Sequence, residues 1–356
     1  MMLSIAADLA LVALVTCLML VLPALARPTL PFGVRVTAER AGDPAIVTQR
    51  RVYTRLVVAV AAVAAVVSIL TGQPAVTLGV LVAADLLLYY RAHLKVRAAK
   101  SGGGWAGERR QGITMDTTFR TDPVRVPWVW GLPALAVVLL TAGIGWWSSS
   151  TVAGWFEPVL SQAGLTLLVV VVILIVLRAR PDLDAARPKS SARRYRIYLR
   201  GVATLSLLSA ACLNLSLLIW ALRQWGVVGN VVGNTVGWLV AGCLPLVALL
   251  GGWLVWETKV GQAGHRLPAL PDEQEEDTGM AQRDDDRYWF LAGTIYANRR
   301  DPALLVHARL GSSSWTLNLG HPIAWLLLGL VVIGLAGLVL ATVFGGIDLP
   351  QKRGIF

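Results

Sequence analysis

The sequence predicts an all-α polytopic membrane protein with about eight transmembrane helices and a small cytoplasmic module, containing a β-hairpin, before the last helix. Of its 356 residues, 56% are hydrophobic and 15% are charged, whereas a soluble domain carries about 25% charged residues. Long apolar runs recur along the whole chain, and about 20 helical residues cross the roughly 30 Å of hydrocarbon in a bilayer. A transmembrane barrel would show short alternating segments instead.

The eight predicted spans are separated by alternately short and long loops. Only "TGQP" separates the second span from the third, so these two should form a tight helical hairpin, of which the third span is the shorter. The first basic residue, Arg27, follows the first apolar run, so we expect an uncleaved anchor and not a signal peptide. The predicted spans are 3–26, 54–72, 74–90, 128–147, 159–177, 202–222, 234–255 and 323–345.

The basic residues predict the orientation of these spans. Of the 32 Lys and Arg residues, 29 lie in or beside four loops, which are 27–53, 91–127, 178–201 and 256–322. Because basic loops stay in the cytoplasm, every second loop should be cytoplasmic and both termini should lie outside. The net charge of +11 is then a topology signal that also suits the anionic lipids of the inner leaflet, and nucleic acid is not an expected partner.

The chain divides into five regions on these grounds. Residues 1–127 hold three spans with basic loops, and residues 128–258 form a four-span core. An acidic linker, 259–286, precedes the module at 287–322, and the last span with an outside tail occupies 323–356.

The module has the pattern of a small sheet. "ALLVHARL" and "WTLNL" are short apolar–polar runs joined by "GSSS", which is typical of a β-hairpin with a glycine turn, and "RYWFLAGTIYAN" fits either a strand or a helix. Since a hairpin alone is marginal in water, it should pack on the preceding segment, on helix ends or on lipid headgroups. Four rings suit an interfacial position, because each has an apolar body and a polar tip: Tyr288, Trp289, Tyr296 and Trp315.

Three polar residues of the module carry specific expectations. Asp301 should be a turn residue whose carboxylate accepts backbone N–H groups, and Asn298 should be a turn or left-handed residue. Asn318 stands in a strand type that disfavours Asn, so it should bond a specific backbone group or a partner. The module is then either a structural plug over the ends of spans seven and eight or a docking surface for a regulator or ligand.

Polar residues inside the spans are functional hypotheses, because charge in hydrocarbon is expensive. Asp8 lies in the first span and Asp85 in the third. We expect Asp85 to face the bundle and to pair with a nearby arginine, and a proton or ion pathway is the alternative. Asn214 in the sixth span should join helices by hydrogen bonding.

The sequence offers no pattern for catalysis or for a cofactor. It has no phosphate-binding loop, no dinucleotide fingerprint, and no zinc-protease, serine-hydrolase or paired-cysteine motif. Three of the four histidines fall in the last basic loop and could converge, but we expect ordinary polar positions for them. The three cysteines lie within predicted spans, so we expect neither disulfides nor a metal site, and we expect no enzyme.

The segment "DDDRYWFLAGTIYANRRDPALLVHARLGSSSWTLNLGHP" resembles the C-terminal domain of unknown function numbered 5808. The shared pattern is an acidic run, spaced aromatic, glycine and Asp-Pro positions, Trp-Thr-Leu-Asn and a proline before a final span. "VGQAGHR" resembles the segment that often precedes that domain, and "TFRTDPVRVPWVW" resembles the entry to the membrane domain of unknown function numbered 1648. The matching positions are Asp285, Asp286, Trp289, Gly293, Tyr296, Asn298, Asp301, Pro302, Val306, Arg309, Gly311, Trp315, Thr316, Leu317, Asn318 and Pro322.

Proteins with that membrane domain include the Sdp-type immunity proteins of bacteria. The resemblance therefore implies a bacterial plasma membrane and a non-enzymatic role in immunity, envelope stress response or signalling, with a possible protein partner at the module. The family's outer loop, with its Pro-His-Phe-Gly-Asp core, is missing here, so the resemblance does not extend to an activity that depends on that loop. A transporter or permease component that uses an intramembrane acidic residue is the alternative function.

Overall fold

The structure, a computed structural model, describes residues 2–105, 122–148, 152–181, 183, 188–227, 235–268, 286–310 and 313–344. The helices in these ranges are α1 (Met2–Leu25), α2 (Pro44–Thr71), α3 (Pro74–Gly102), α4 (Leu132–Ser148), α5 (Val152–Leu177), α6 (Pro188–Gln224), α7 (Thr235–Val260) and α8 (Pro322–Phe344). The strands are β1 (Trp289–Phe290), β2 (Ile295–Tyr296), β3 (Leu305–His307) and β4 (Trp315–Leu317). Most of the acidic linker and the C-terminal tail lie outside the described residues.

The helices α1 to α7 are each long and apolar enough to cross a membrane. This confirms the predicted class, a helical multi-pass protein. In α8 the apolar part that the structure describes, Pro322–Gly337, is shorter, so the eighth span stays a prediction. Large apolar side chains such as Leu87, Leu139 and Leu244 are exposed on the outer faces of the helices, as lipid-facing residues are.

Several helices continue past the apolar runs into the basic loops, which corrects the predicted boundaries. The helix α2 begins at Pro44 because Asp43 accepts a hydrogen bond from the Ala45 backbone N at 2.9 Å and proline suits the first helical position. The end of the first basic loop is therefore helical and continuous with the second span. The third span, expected to be the shortest, belongs to a helix of 29 residues, and α6 begins at Pro188, so part of the arginine-rich loop is helical.

The helices pack in two groups. In the first group α1, α2 and α3 pack with one another, and Val12, Ala64 and Leu81 form a buried cluster between them. In the second group α6 packs against α4, α5 and α7, with Ile173 and Leu207 buried between α5 and α6. We call these the three-helix group (α1–α3) and the four-helix group (α4–α7).

Between α7 and α8 the chain forms two antiparallel strand pairs. Strand β1 pairs with β2, so "RYWFLAGTIYAN" forms a short hairpin and not a helix. Strand β3 pairs with β4 and places Val306 opposite Thr316, which confirms the hairpin predicted for "ALLVHARL" and "WTLNL". A bridge between Tyr296 and Asn318 joins the two pairs.

Candidate functional site

The described parts of the four basic loops meet at one end of the molecule, which we call the basic end. Arg27 of the first loop donates its backbone N–H to the Gln262 side chain, after α7, at 3.2 Å. Arg196, near the start of α6, donates to the backbone carbonyl of Asp122 in the second loop at 2.7 Å. We count Asp286 as part of the module because it bonds Arg309, and Pro322 belongs to α8, so the described residues of the module are 286–310 and 313–321. The module lies at this end and contacts both helical groups, so it is the candidate functional site.

Asn318 holds the interior of the module together. Its side chain is fully buried, and its Oδ1 accepts the backbone N–H groups of Asn298 at 2.9 Å and Gly320 at 3.0 Å. Its Nδ2 faces the carbonyl oxygens of Asn298, Asp301 and Ala303 at 3.0 to 3.1 Å. The prediction that Asn318 bonds specific backbone groups is thus confirmed, and the groups belong to the module and not to a partner.

Asp301 has two roles in the same turn. Its Oδ1 accepts the Ala303 backbone N–H at 3.1 Å, as predicted for a turn residue. Its Oδ2 accepts the Tyr296 hydroxyl at 2.9 Å and forms an ion pair with Arg180, which follows α5. Asp301 therefore ties the module to the four-helix group.

Asn298 is also a turn residue, since its Oδ1 accepts the Arg300 backbone N–H at 2.9 Å, but its backbone is not left-handed.

A buried cation ties the module to the three-helix group. Arg309 is 1% exposed, and its Nη1 donates to Asp286 Oδ1 at 2.5 Å and to the Gly33 carbonyl oxygen at 2.9 Å. Lys100, near the end of α3, donates its Nζ to Asp286 Oδ2 at 2.5 Å. The Arg309 guanidinium also lies over the Trp289 ring, 4.9 Å from its centroid.

The charge on Asp286 is fixed by this network. Burial alone raises the pKa of a carboxyl group, but Arg309 and Lys100 outweigh burial here and hold the pKa of Asp286 below its ordinary value. The carboxylate therefore stays ionised at neutral pH, and it joins α3, the loop after α1 and the module through one anion.

Two glycine turns cross where the module meets the first loop. Gly33 and Gly293 both have left-handed backbone, with φ of 75° and 87°. A Cβ at Gly33 would overlap the carbonyl oxygen of Ala292, and a Cβ at Gly293 would lie 2.8 Å from the Arg309 Cβ. The predicted candidate Gly293 is thus required by close approach as well as by its backbone conformation.

The opposite side of the module packs on the four-helix group. The buried Gln262 donates its Nε2 to the Ala308 carbonyl oxygen at 2.7 Å. His307 lies 3.1 Å from the Tyr198 hydroxyl of α6, Nε2 to oxygen, and the Trp315 ring packs beside His307 in a tilted arrangement, with ring centroids 5.2 Å apart. Gln262 consequently contacts the first loop and the module at once.

Two of the four rings expected at an interfacial position are instead buried inside the module, which corrects that expectation for them. Trp289 is 4% exposed and Tyr296 is fully buried, and their ring centroids lie 4.9 Å apart. Trp315 is half-buried against α6. Of the other candidates, Pro302 is exposed after the Asp301 turn, and Gly311 lies outside the described residues.

The predicted intramembrane polar residues lie apart from the module. Asn214 donates its Nδ2 to Thr166 Oγ1 at 2.9 Å and to the Ala134 carbonyl oxygen at 3.3 Å, so its predicted role in joining helices is confirmed. Asp8 is half-buried in α1. Asp85 is fully buried, but neither carboxylate oxygen has a hydrogen-bond partner in the described part of the chain, so the expected arginine pair is not formed there.

Of the three histidines of the last basic loop, His265 and His307 both contact Gln262, whereas His321 lies at the start of α8. His265 contacts the Gln262 carbonyl oxygen through Nδ1 at 3.1 Å, and His321 accepts the Ile323 backbone N–H at 3.2 Å at the start of α8. Burial, with help from Arg27, lowers the pKa of His265 to about 4, so it is neutral. Among the described residues no group of three or more His, Cys, Asp or Glu side chains is placed to hold a metal ion.

Comparison of the chain with protein-family models, with curated proteins and with solved structures found no match. The resemblance to the two domains of unknown function therefore stays a prediction.

Four of the residues that join the module to its surroundings were not predicted from the sequence. Lys100 and Arg180 belong to the basic loops, where they were interpreted as topology signals alone. No feature of the sequence around Gly33 distinguishes it from the other loop glycines. Gln262 lies in "VGQAGHR", the segment that resembles the usual neighbour of the 5808-type domain, and that resemblance was the available signal.

Replacing Asn318 with Ala should destabilise the module strongly. The substitution leaves two buried N–H groups and three carbonyl oxygens without this partner, and unsatisfied buried groups cost about 1–3 kcal/mol each, partly relieved by water. We expect a total loss of about 2–4 kcal/mol, seen as faster hydrogen–deuterium exchange of residues 286–321 in the purified protein. Thr316→Ala, in strand β4 just before Asn318, is the control, and equal exchange in the two variants would contradict the assignment.

Acid should weaken the docking of the module through Asp286. Because its folded pKa lies below the ordinary value of 3.8, its contribution to stability is complete above that value and is lost as the pH falls below it. Asp286→Asn should lower the unfolding temperature at neutral pH and remove this acid-dependent step. Asp122→Asn, at an exposed carboxylate, should leave both unchanged, and an unaltered acid profile in Asp286→Asn would refute the role given to Asp286.

Proposed function

We propose that this chain is a non-enzymatic integral protein of the bacterial plasma membrane that acts in immunity, envelope stress response or signalling. In this proposal the module faces the cytoplasm and couples the two helical groups. The observation that carries it is the two-sided docking of the module: Asp286 and Arg309 bond the three-helix group, while Asp301 and Ala308 bond residues of the four-helix group.

The proposed orientation rests on charge. The basic loops meet at the module end of the molecule, and loops rich in Lys and Arg stay on the cytoplasmic side. Both termini would then lie outside, and the basic end would face the anionic lipids of the inner leaflet. A bacterial origin and an immunity role are supported by the sequence resemblance alone.

The contacts suggest how coupling would work without catalysis. Asp301 and Arg309 flank β3 on either side, so a shift of α3 that moves Asp286 would also displace the hairpin that Arg180 and Tyr198 contact. Such a rigid element with partners in two bodies can transmit a displacement between them. Since the polar atoms of Asn318 and Arg309 are used within the molecule, a cytoplasmic partner would bind other parts of the module.

A transporter or permease component is the second candidate, and Asp85 favours it. A buried carboxyl group in a membrane span, with no hydrogen-bond partner among the described residues, costs about 2.5–3.5 kcal/mol when ionised. Such a group is retained where it binds a proton or a cation during transport. It lies in the three-helix group, between Leu81 and Tyr89 on the buried face of α3.

One complementation experiment distinguishes the two candidates. A strain of the native host that lacks the gene is challenged with membrane-active peptides, and gradient-driven solute uptake is measured in parallel. The wild type, Thr316→Ala and Asp85→Asn should restore survival, whereas Arg309→Ala should not, at equal amounts in the membrane. Loss of uptake in Asp85→Asn with survival unaffected by Arg309→Ala would replace the first candidate with the second.

A further inference from the structure

The tip of the first hairpin exposes two large apolar side chains. Phe290 is 52% exposed and Leu291 is 60% exposed. In the described part of the module, these are the large hydrophobic residues that remain exposed, whereas the neighbouring Trp289 and Ala292 are buried. Burial of apolar surface drives folding, so an adjacent exposed pair on an otherwise well-packed module points to an external apolar partner.

The backbone at the tip turns through two left-handed residues. Leu291 and Ala292 both have left-handed conformations, with φ of 45° and 57°, which L residues with side chains rarely adopt. The turn is held by Thr294, whose Oγ1 donates to the Leu291 carbonyl oxygen at 2.7 Å. Strain of this kind persists where the surroundings impose it and it is found at functional surfaces.

The tip lies beside the boundary between the apolar and basic parts of α3. Ala292 belongs to the same buried cluster as Tyr89 and Val96 of that helix. The apolar run of α3 ends at residue 90, and Arg91 and Lys95 beyond it are exposed. If the chain spans the membrane as proposed above, Phe290 and Leu291 stand at the depth where hydrocarbon gives way to headgroups.

We propose that Phe290 and Leu291 insert into the headgroup–hydrocarbon boundary of the inner leaflet and anchor the module to the bilayer. The flanking cations suit a lipid surface, since Arg287 stacks on Tyr288 at 4.6 Å from the ring centroid and exposed Lys95 lies on the adjacent helix. A protein partner fits less well, because a stable interface buries about 800 Å² on each side and two side chains supply a fraction of that area. This inference rests on the membrane orientation of the proposed function.

Spin-label accessibility tests the insertion. Single cysteines at positions 290 and 291 are introduced after Cys17, Cys212 and Cys243 are replaced with Ala, and the labelled full chain is reconstituted into phosphatidylcholine–phosphatidylglycerol vesicles. Oxygen concentrates in hydrocarbon, whereas a nickel chelate stays in water. Labels at 290 and 291 should collide several-fold more with oxygen than with the chelate.

Two controls keep this result separate from the proposed function. A label at Arg300, exposed on a turn of the module, should be accessible to the chelate, and a label at Leu139, exposed on α4, should be accessible to oxygen. Labels at 290 and 291 that behave like Arg300, or that neither reagent reaches, would overturn the insertion while Leu139 still reports a membrane span. Chelate access at Leu139 as well would overturn the membrane-spanning arrangement on which both proposals depend.

Discussion

The burial of one guanidinium group is the constraint on which the rest of this structure depends. Arg309 is surrounded by the module, the loop after α1 and Asp286. A buried charge is tolerated when it is paired and hydrogen-bonded, and removing its partner costs about 3–5 kcal/mol. The module can therefore satisfy Arg309 only when it is docked, because the Gly33 carbonyl and the Lys100 ammonium that complete the network belong to the three-helix group.

A second set of contacts attaches the other side of the module to the four-helix group. Arg180 pairs with Asp301 on the other side of the module, and Gln262 bonds both Arg27 and Ala308. The two helical groups pack mainly within themselves, and the module bonds to both of them at the basic end. A short sheet that is marginal by itself is stabilised by these contacts and, in return, connects the groups.

Local chemistry made much of the module predictable from sequence. The hairpin of "ALLVHARL" and "WTLNL" followed from alternation and a glycine-serine turn, and the turn role of Asp301 followed from its side-chain chemistry. Asn318 stood out because Asn is unusual in such a strand. These features depend on neighbours within about twenty residues, and sequence patterns carry that information.

Contacts between distant segments were not predictable in the same way. The pairing of Lys100 with Asp286 and of Arg180 with Asp301 joins segments that only the packing of helices brings together. The burial of Trp289 beside the exposed Phe290 and Leu291 was also not predictable, since the left-handed turn at Leu291 and Ala292 breaks the alternation that a strand would impose. Asp85 shows the same limit, because its expected arginine partner depended on helix rotation that hydropathy does not determine.

The distance between the two helical groups tests the central claim, that the docked module joins them, most directly. Spin labels at Val76 on α3 and Trp147 on α4, both exposed, report this distance by double electron–electron resonance in vesicles. The account predicts one narrow distribution in the wild type and in Thr316→Ala, and a broad or shifted distribution in Arg309→Ala. Hydrogen exchange would first establish that the module is undocked in Arg309→Ala. The same narrow distance distribution in that variant as in the wild type would then contradict the claim that the docked module joins the two groups.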